Sequence, residues 1–268
     1  MALAYDQQTV QARASGVDSL TQTTGQAVDA GDLLVVCTSI SNATGGAITV
    51  TDDATQTYTL AISSSATDAA GGRVRVHYFP NSVAATVKVT VNPPGASADI
   101  DFTLSEVSGA ATASPLDAQV RSAGTSNAPN VVSGTLAQAN EIIFAVMTHD
   151  GATAALTPDA TYTQIGENEN NSTGQCYNAQ YKIVAATTSD TADWSKATSV
   201  NWETVLASFK EAAAGETPER TKLGVGTKLY RPSLPHLIGA GVLAGVLGNP
   251  RMTRRALLGL EGRGPRDP

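Results

Sequence analysis

An apolar strand that occurs twice constrains this chain more than any other feature. Gly31-Asp32-Leu33-Leu34-Val35-Val36-Cys37-Thr38 reads as a turn and then an unbroken hydrophobic run. Asn140-Glu141-Ile142-Ile143-Phe144-Ala145-Val146-Met147 repeats it 109 positions later. Other segments follow in parallel. Gln11 to Gly16 echoes Gln119 to Gly124, Asp53-Ala54-Thr55 echoes Asp159-Ala160-Thr161, and Tyr78 corresponds to Tyr181. A repeat of this length predicts two similar units, each large enough to bury a core.

Between the echoes the hydrophobic period is two, the signature of strands. Val74, Val76 and Tyr78 alternate with Arg73, Arg75 and His77, which predicts a half-buried strand. Val87, Val89 and Val91 alternate with Lys88 and Thr90 until Pro93-Pro94-Gly95 stops the pattern. Ile100, Phe102 and Leu104 alternate with polar neighbours, and Asn201 to Phe209 closes the second unit. The small-residue composition, with 5% aromatic and 15% charged residues, suits strands and short turns rather than helices. The expected fold is all-β: two tandem antiparallel β-sandwiches of jelly-roll or immunoglobulin-like type, 1–109 and 110–212. A basic, apolar, extended and partly helical arm is expected at 213–268.

Charge divides along the same line. Residues 1–212 carry 8 Lys/Arg against 20 Asp/Glu, a net of −12, whereas 213–268 carry 9 against 4, a net of +5. A basic arm on an acidic body suggests docking onto an acidic partner. The arm's Tyr230, Leu234, Leu237, Ile238, Leu243, Leu257 and Leu258 offer apolar contact, and Arg231, Arg251, Arg254 and Arg255 offer charge. Its apolar run, Leu237 to Leu247, is too short to span a bilayer. The acidic body, and the arm's mixing of charge with leucine and glycine, argue against nucleic-acid binding; the apolar stretch and flanking arginines would suit a membrane interface, but membrane contact of the arm is not expected.

Catalytic signatures are weak. His77, His149 and His236 sit in no nucleophile motif and read as surface or strand-end residues. Asp52, Asp53 and Asp159 fall at hairpin turns, where Asp bonds the backbone. Cys37 reads as a core residue, and neither it nor Cys176 has a metal-ligand spacing. No cofactor, no metal and no enzymatic activity are expected. Trp202 reads as core; Trp194, between Asp193 and Ser195, reads as either core or exposed. The loops Ser63 to Gly72 and Gly166 to Gly174 form a possible contact surface. Met1 to Ser15 has neither a basic start nor an apolar run, so no signal peptide is expected and synthesis is assigned to the host cytoplasm.

Gly31 to Val36, Thr51 to Leu60, the Tyr-Phe-Pro and Tyr-Lys-Ile strands at Tyr78 and Tyr181, Glu106 to Gly109 and Pro115 to Ala118 carry a resemblance. Together they resemble tandem β-sandwich proteins of tailed-bacteriophage virions and bacterial surfaces. The resemblance covers about 1–212 and rests on turn and core positions. It implies a non-enzymatic virion component, a capsid decoration or head- or tail-associated protein. Such a protein would join other virion proteins and form a homo-oligomer. The alternative it implies is a fibre or surface adhesin that holds a glycan through its loops.

Overall fold

The computed structural model of the protein describes residues 2–8, 11–41, 47–64, 72–95, 97–150, 156–169 and 176–215. The described residues contain strands and no helix, and every strand pairing among them is antiparallel. The first half supplies β1 (Ala4–Gln8), β2 (Ala12–Val17), β3 (Leu20–Thr23), β4 (Leu33–Ile40), β5 (Thr49–Asp52), β6 (Thr59–Ser63), β7 (Arg73–Phe79), β8 (Lys88–Asn92) and β9 (Ala98–Ser108). The second supplies β10 (Leu116–Ser126), β11 (Asn130–Val132), β12 (Glu141–His149), β13 (Thr157–Pro158), β14 (Thr163–Asn168), β15 (Tyr177–Val184), β16 (Thr191–Ser195) and β17 (Val200–Lys210).

Four sheets result. One runs β1-β9-β4-β7-β6, with β2 also on β9, and a smaller one runs β3-β8-β5. The second half gives β10-β17-β12-β15-β14 and the smaller β11-β16-β13. The two repeated apolar strands occupy like places: β4 lies between β9 and β7, and β12 lies between β17 and β15. Ladder register agrees as well, since Val35 faces Tyr78 and Phe144 faces Tyr181. Each apolar strand is entered through a residue with positive φ, Gly31 at 89° and Asn140 at 59°. Glycine has no Cβ to oppose that conformation, and Asn tolerates it better than most residues.

Why the apolar runs at 33–37 of β4 and 142–147 of β12 are continuous, rather than alternating, follows from what covers them. Leu34, Val36 and Ile40 point into a cluster with Val50, Val89 and Val91 of the small β3-β8-β5 sheet. Leu33, Val35 and Cys37 point the other way, into a cluster that also holds Ile142, Phe144 and Val146 of β12. The alternate residues of β12, Ile143, Ala145 and Met147, join Val131, Ala192 and Trp194 of the outer β11-β16-β13 sheet. The order of layers is therefore small sheet, large sheet, large sheet, small sheet. Strands with both faces covered read as continuous hydrophobic runs.

Aromatic rings cross the central seam. Tyr5 of β1 stacks on Tyr181 of β15 at 4.0 Å, and Tyr78 of β7 lies 5.2 Å from Phe209 of β17. The buried Tyr177 hydroxyl donates to the Cys37 carbonyl at 3.1 Å and shares a 2.9 Å hydrogen bond with Thr103. The described residues fall within one compact unit, Met1–Leu223.

One expectation changes at the level of faces. The strand Arg73–Phe79 forms, but it is not half-buried: Arg75 and His77 are buried with Val74 and Val76. Alternation separates the two faces of a strand without saying whether the polar face meets water. Both tryptophans are buried, and neither Cys37 nor Cys176 forms a disulfide. Asp52, Asp53 and Asp159 do bond backbone amides, those of Gln56, Lys88 and Thr161.

Candidate functional site

Three strand ends of the second half bring together side chains that are far apart in sequence. His149 is the last residue of β12 and is fully buried. Glu169 directly follows β14, and Cys176 directly precedes β15 and is also buried. One ligand-capable atom from each lies within 4.8 Å of the others. The pairing β12–β15–β14 fixes this, because neighbouring antiparallel strands put the end of one beside the start of the next.

The carboxylate is held from one side. Leu156 N–H donates to Glu169 Oε1 at 3.0 Å. Glu169 Oε2 is buried and makes no hydrogen bond among the described residues. It lies 3.9 Å from His149 Nε2, beyond hydrogen-bond reach. Burial, reinforced by the Lys196 ammonium, lowers the His149 pKa to about 4, so the imidazole is neutral at neutral pH. Burial and then the Glu169 charge push the Cys176 thiol up to about 12. Burial also raises Glu169, against the Leu156 N–H and Lys196.

A cysteine nucleophile needs the thiolate, and its partner histidine works as a base or as an imidazolium. This environment favours the neutral thiol instead. The same three groups are all good ligands for a borderline-soft cation, which inverts the local preference by replacing the thiol proton.

Two further hollows lie on the first half. One, of about 290 Å³, is lined by Ile48, Val50, Tyr58, Leu60, Arg75 and His77 among others. Burial, then Arg75, holds His77 at about 4. The second, of about 260 Å³, gathers Asp6, Asp29, Asp32 and Glu106. Of its carboxylates, Glu106 is engaged within the fold, accepting from Asp29 N–H and from the Gln7 amide.

Sequence reasoning placed His77 and His149 at the surface or at strand ends. His149 does end a strand, but both are buried, because a covering sheet or loop removes the water that a polar position suggests. It assigned no metal ligand, and His149, Glu169 and Cys176 follow no spacing that would reveal one. The arm residues Tyr230, Arg231, Leu234, Leu237, Ile238, Leu243, Arg251, Arg254, Arg255, Leu257 and Leu258 lie outside the described residues. So do most of the two loops proposed as a contact surface. The large exposed apolar residues among those described are Leu60, Val83, Val132 and Ile183, none of them aromatic.

No family model and no curated protein matches the chain.

Proposed function

We infer that this protein is a non-enzymatic structural component of a bacteriophage virion, a capsid decoration or a head- or tail-associated protein. Its body is read as two tandem β-sandwiches born of a duplication, and residues 213–268 as the anchoring arm. The observation that carries this reading is the apolar cluster shared by the two large sheets. It welds both halves into one block with no hinge at the centre, which is the property a spacer or bridging subunit needs. The matched strand orders and the paired positive-φ entries at Gly31 and Asn140 support the duplication.

The exit of the body is tied down. Glu211, one residue past β17, accepts from Leu3 N–H at 3.2 Å and from the Asn140 amide at 2.9 Å. Its own N–H donates to the Asn140 carbonyl, and Ala212 N–H donates to the Gly109 carbonyl. An arm leaving from such a point transmits its docking to the whole body. The body's net −12 against the arm's +5 makes neighbouring copies and other acidic virion proteins the fitting partners.

Truncation after Ala212 tests this reading. The truncated body is expected to stay folded and to lose incorporation into the particle and self-association in sedimentation. Unchanged incorporation would overturn the anchoring role. Assembly through the charged arm should also weaken as salt rises.

A further inference from the structure

We propose that His149, Glu169 and Cys176 form a binding site for a divalent transition-metal ion, with zinc the cation their chemistry fits best. The set offers one imidazole nitrogen, one carboxylate oxygen and one sulfur, the three ligand types zinc accepts. Hard cations such as calcium and magnesium take all-oxygen shells, which this cluster cannot provide.

Geometry supports the assignment in two ways. In a tetrahedral zinc site, bonds of about 2.0–2.3 Å place ligand atoms roughly 3.3–3.8 Å apart. The present atoms lie within 4.8 Å, and the His149–Glu169 separation is 3.9 Å. Each side chain must move by roughly half an ångström to close on an ion of that size. Independently, Glu169 Oε2 is a buried oxygen with no hydrogen bond among the described residues, facing the cluster. Such an orphaned acceptor is costly unless a cation or water completes it.

Charge balances too. A thiolate and a carboxylate neutralise a divalent ion, and an imidazole ligand adds no charge of its own. Lys196, buried beside the cluster, is the competing structural partner: its ammonium acts on His149, Glu169 and Cys176 alike. In the metal-bound site it stabilises the anionic ligands from outside the coordination shell, as partners of ligands commonly do. Three protein ligands leave one tetrahedral position for water. An ion here would clamp the end of β12 to the end of β14 and the start of β15.

The test is cobalt titration of the full-length chain after metal removal with a chelator. One equivalent of Co²⁺ should bind with a thiolate-to-cobalt charge-transfer absorption, and Zn²⁺ should abolish that absorption. Cys176→Ser should lose the absorption, whereas Cys37→Ala should keep it. Glu169→Gln, at a partly exposed residue, retains an amide oxygen for Leu156 N–H and should keep the fold, as checked by circular dichroism. It should weaken affinity by more than roughly tenfold, the least that losing even a ligand's partner usually costs. A folded natural chain without the absorption would overturn the proposal. So would an absorption that survives Cys176→Ser, or cobalt binding that Glu169→Gln leaves unchanged. Binding through histidines alone, His236 included, would give no sulfur absorption and count against the site.

Discussion

At the scale of single residues, Tyr177 does the most to join the two large sheets by polar contact. Its hydroxyl satisfies the Cys37 carbonyl and Thr103 across the seam, in surroundings with no other source of hydrogen bonds for it among the described residues. Tyr177→Phe keeps the ring, leaves the Thr103 hydroxyl without this partner and removes the second acceptor contact of the Cys37 carbonyl, which the strand ladder still engages. A loss of about 1–3 kcal/mol is expected in denaturant unfolding, the usual cost of an unsatisfied buried group. Gly166 leaves room for this ring: a Cβ there would stand 2.6 Å from Tyr177 Cε1 and 2.8 Å from Thr103 Cγ2.

The two buried histidines set an acid limit. Both are held at about 4, below their ordinary 6.5. Between these values the unfolded chain takes up protons and the folded chain does not. Their contribution is thus complete above pH 6.5 and is lost as the pH falls toward 4. Asp101 and Glu169 are raised by burial and act in the opposite sense, since protonating them in the fold relieves a penalty present at neutral pH. The histidine effect can reach on the order of 2–3 kcal/mol per site. His77→Gln should flatten the fall in unfolding free energy between pH 6.5 and pH 4; an unaltered slope would contradict the account.

Among the elements, β12 shows what was legible in the sequence. Its unbroken hydrophobic run predicted a fully buried strand, and every residue of it is buried. Phe144 projects into the central cluster near Tyr5, Tyr181 and Phe209. Phe144→Ala should cost about 3–5 kcal/mol in thermal or chemical unfolding. Leu60→Ala, at a residue 48% exposed on β6, should stay within about 0.5 kcal/mol. By contrast, β7 was legible only in outline. Its period was plain, yet the burial of Arg75 and His77 depends on a neighbouring sheet supplied by residues remote in the chain. The cluster of His149, Glu169 and Cys176 was illegible for a similar reason. It draws one residue from each of three strand ends, 20 and 7 positions apart, and only strand pairing brings them together.

Across the whole described body, the hydrophobic face at the centre belongs to neither half alone. Periodicity predicted cores for each half, and those exist as the two outer clusters. The third cluster could not be read locally, because a strand covered on both sides reads the same whatever covers it. Residues 110–215 produced alone would expose Ile142, Phe144, Val146, Val205 and Phe209 to water. Such a face invites association. That fragment should dimerise or aggregate and bind a hydrophobic dye, whereas the full body should unfold in one cooperative step. A monomeric, dye-silent fragment would show the halves to be independent.

The position of β17 has a mechanical consequence. It is the strand from which the chain leaves toward 213–268, and it runs between β10 and β12 rather than along an edge. A tension applied at Lys210 along the strand must slide β17 past both neighbours, shearing two ladders of backbone hydrogen bonds at once. An edge strand pulled across its length would unzip one bond at a time. Single-molecule pulling from that end should therefore meet a high rupture force and a brittle, all-at-once failure, the behaviour of a rivet rather than a tether.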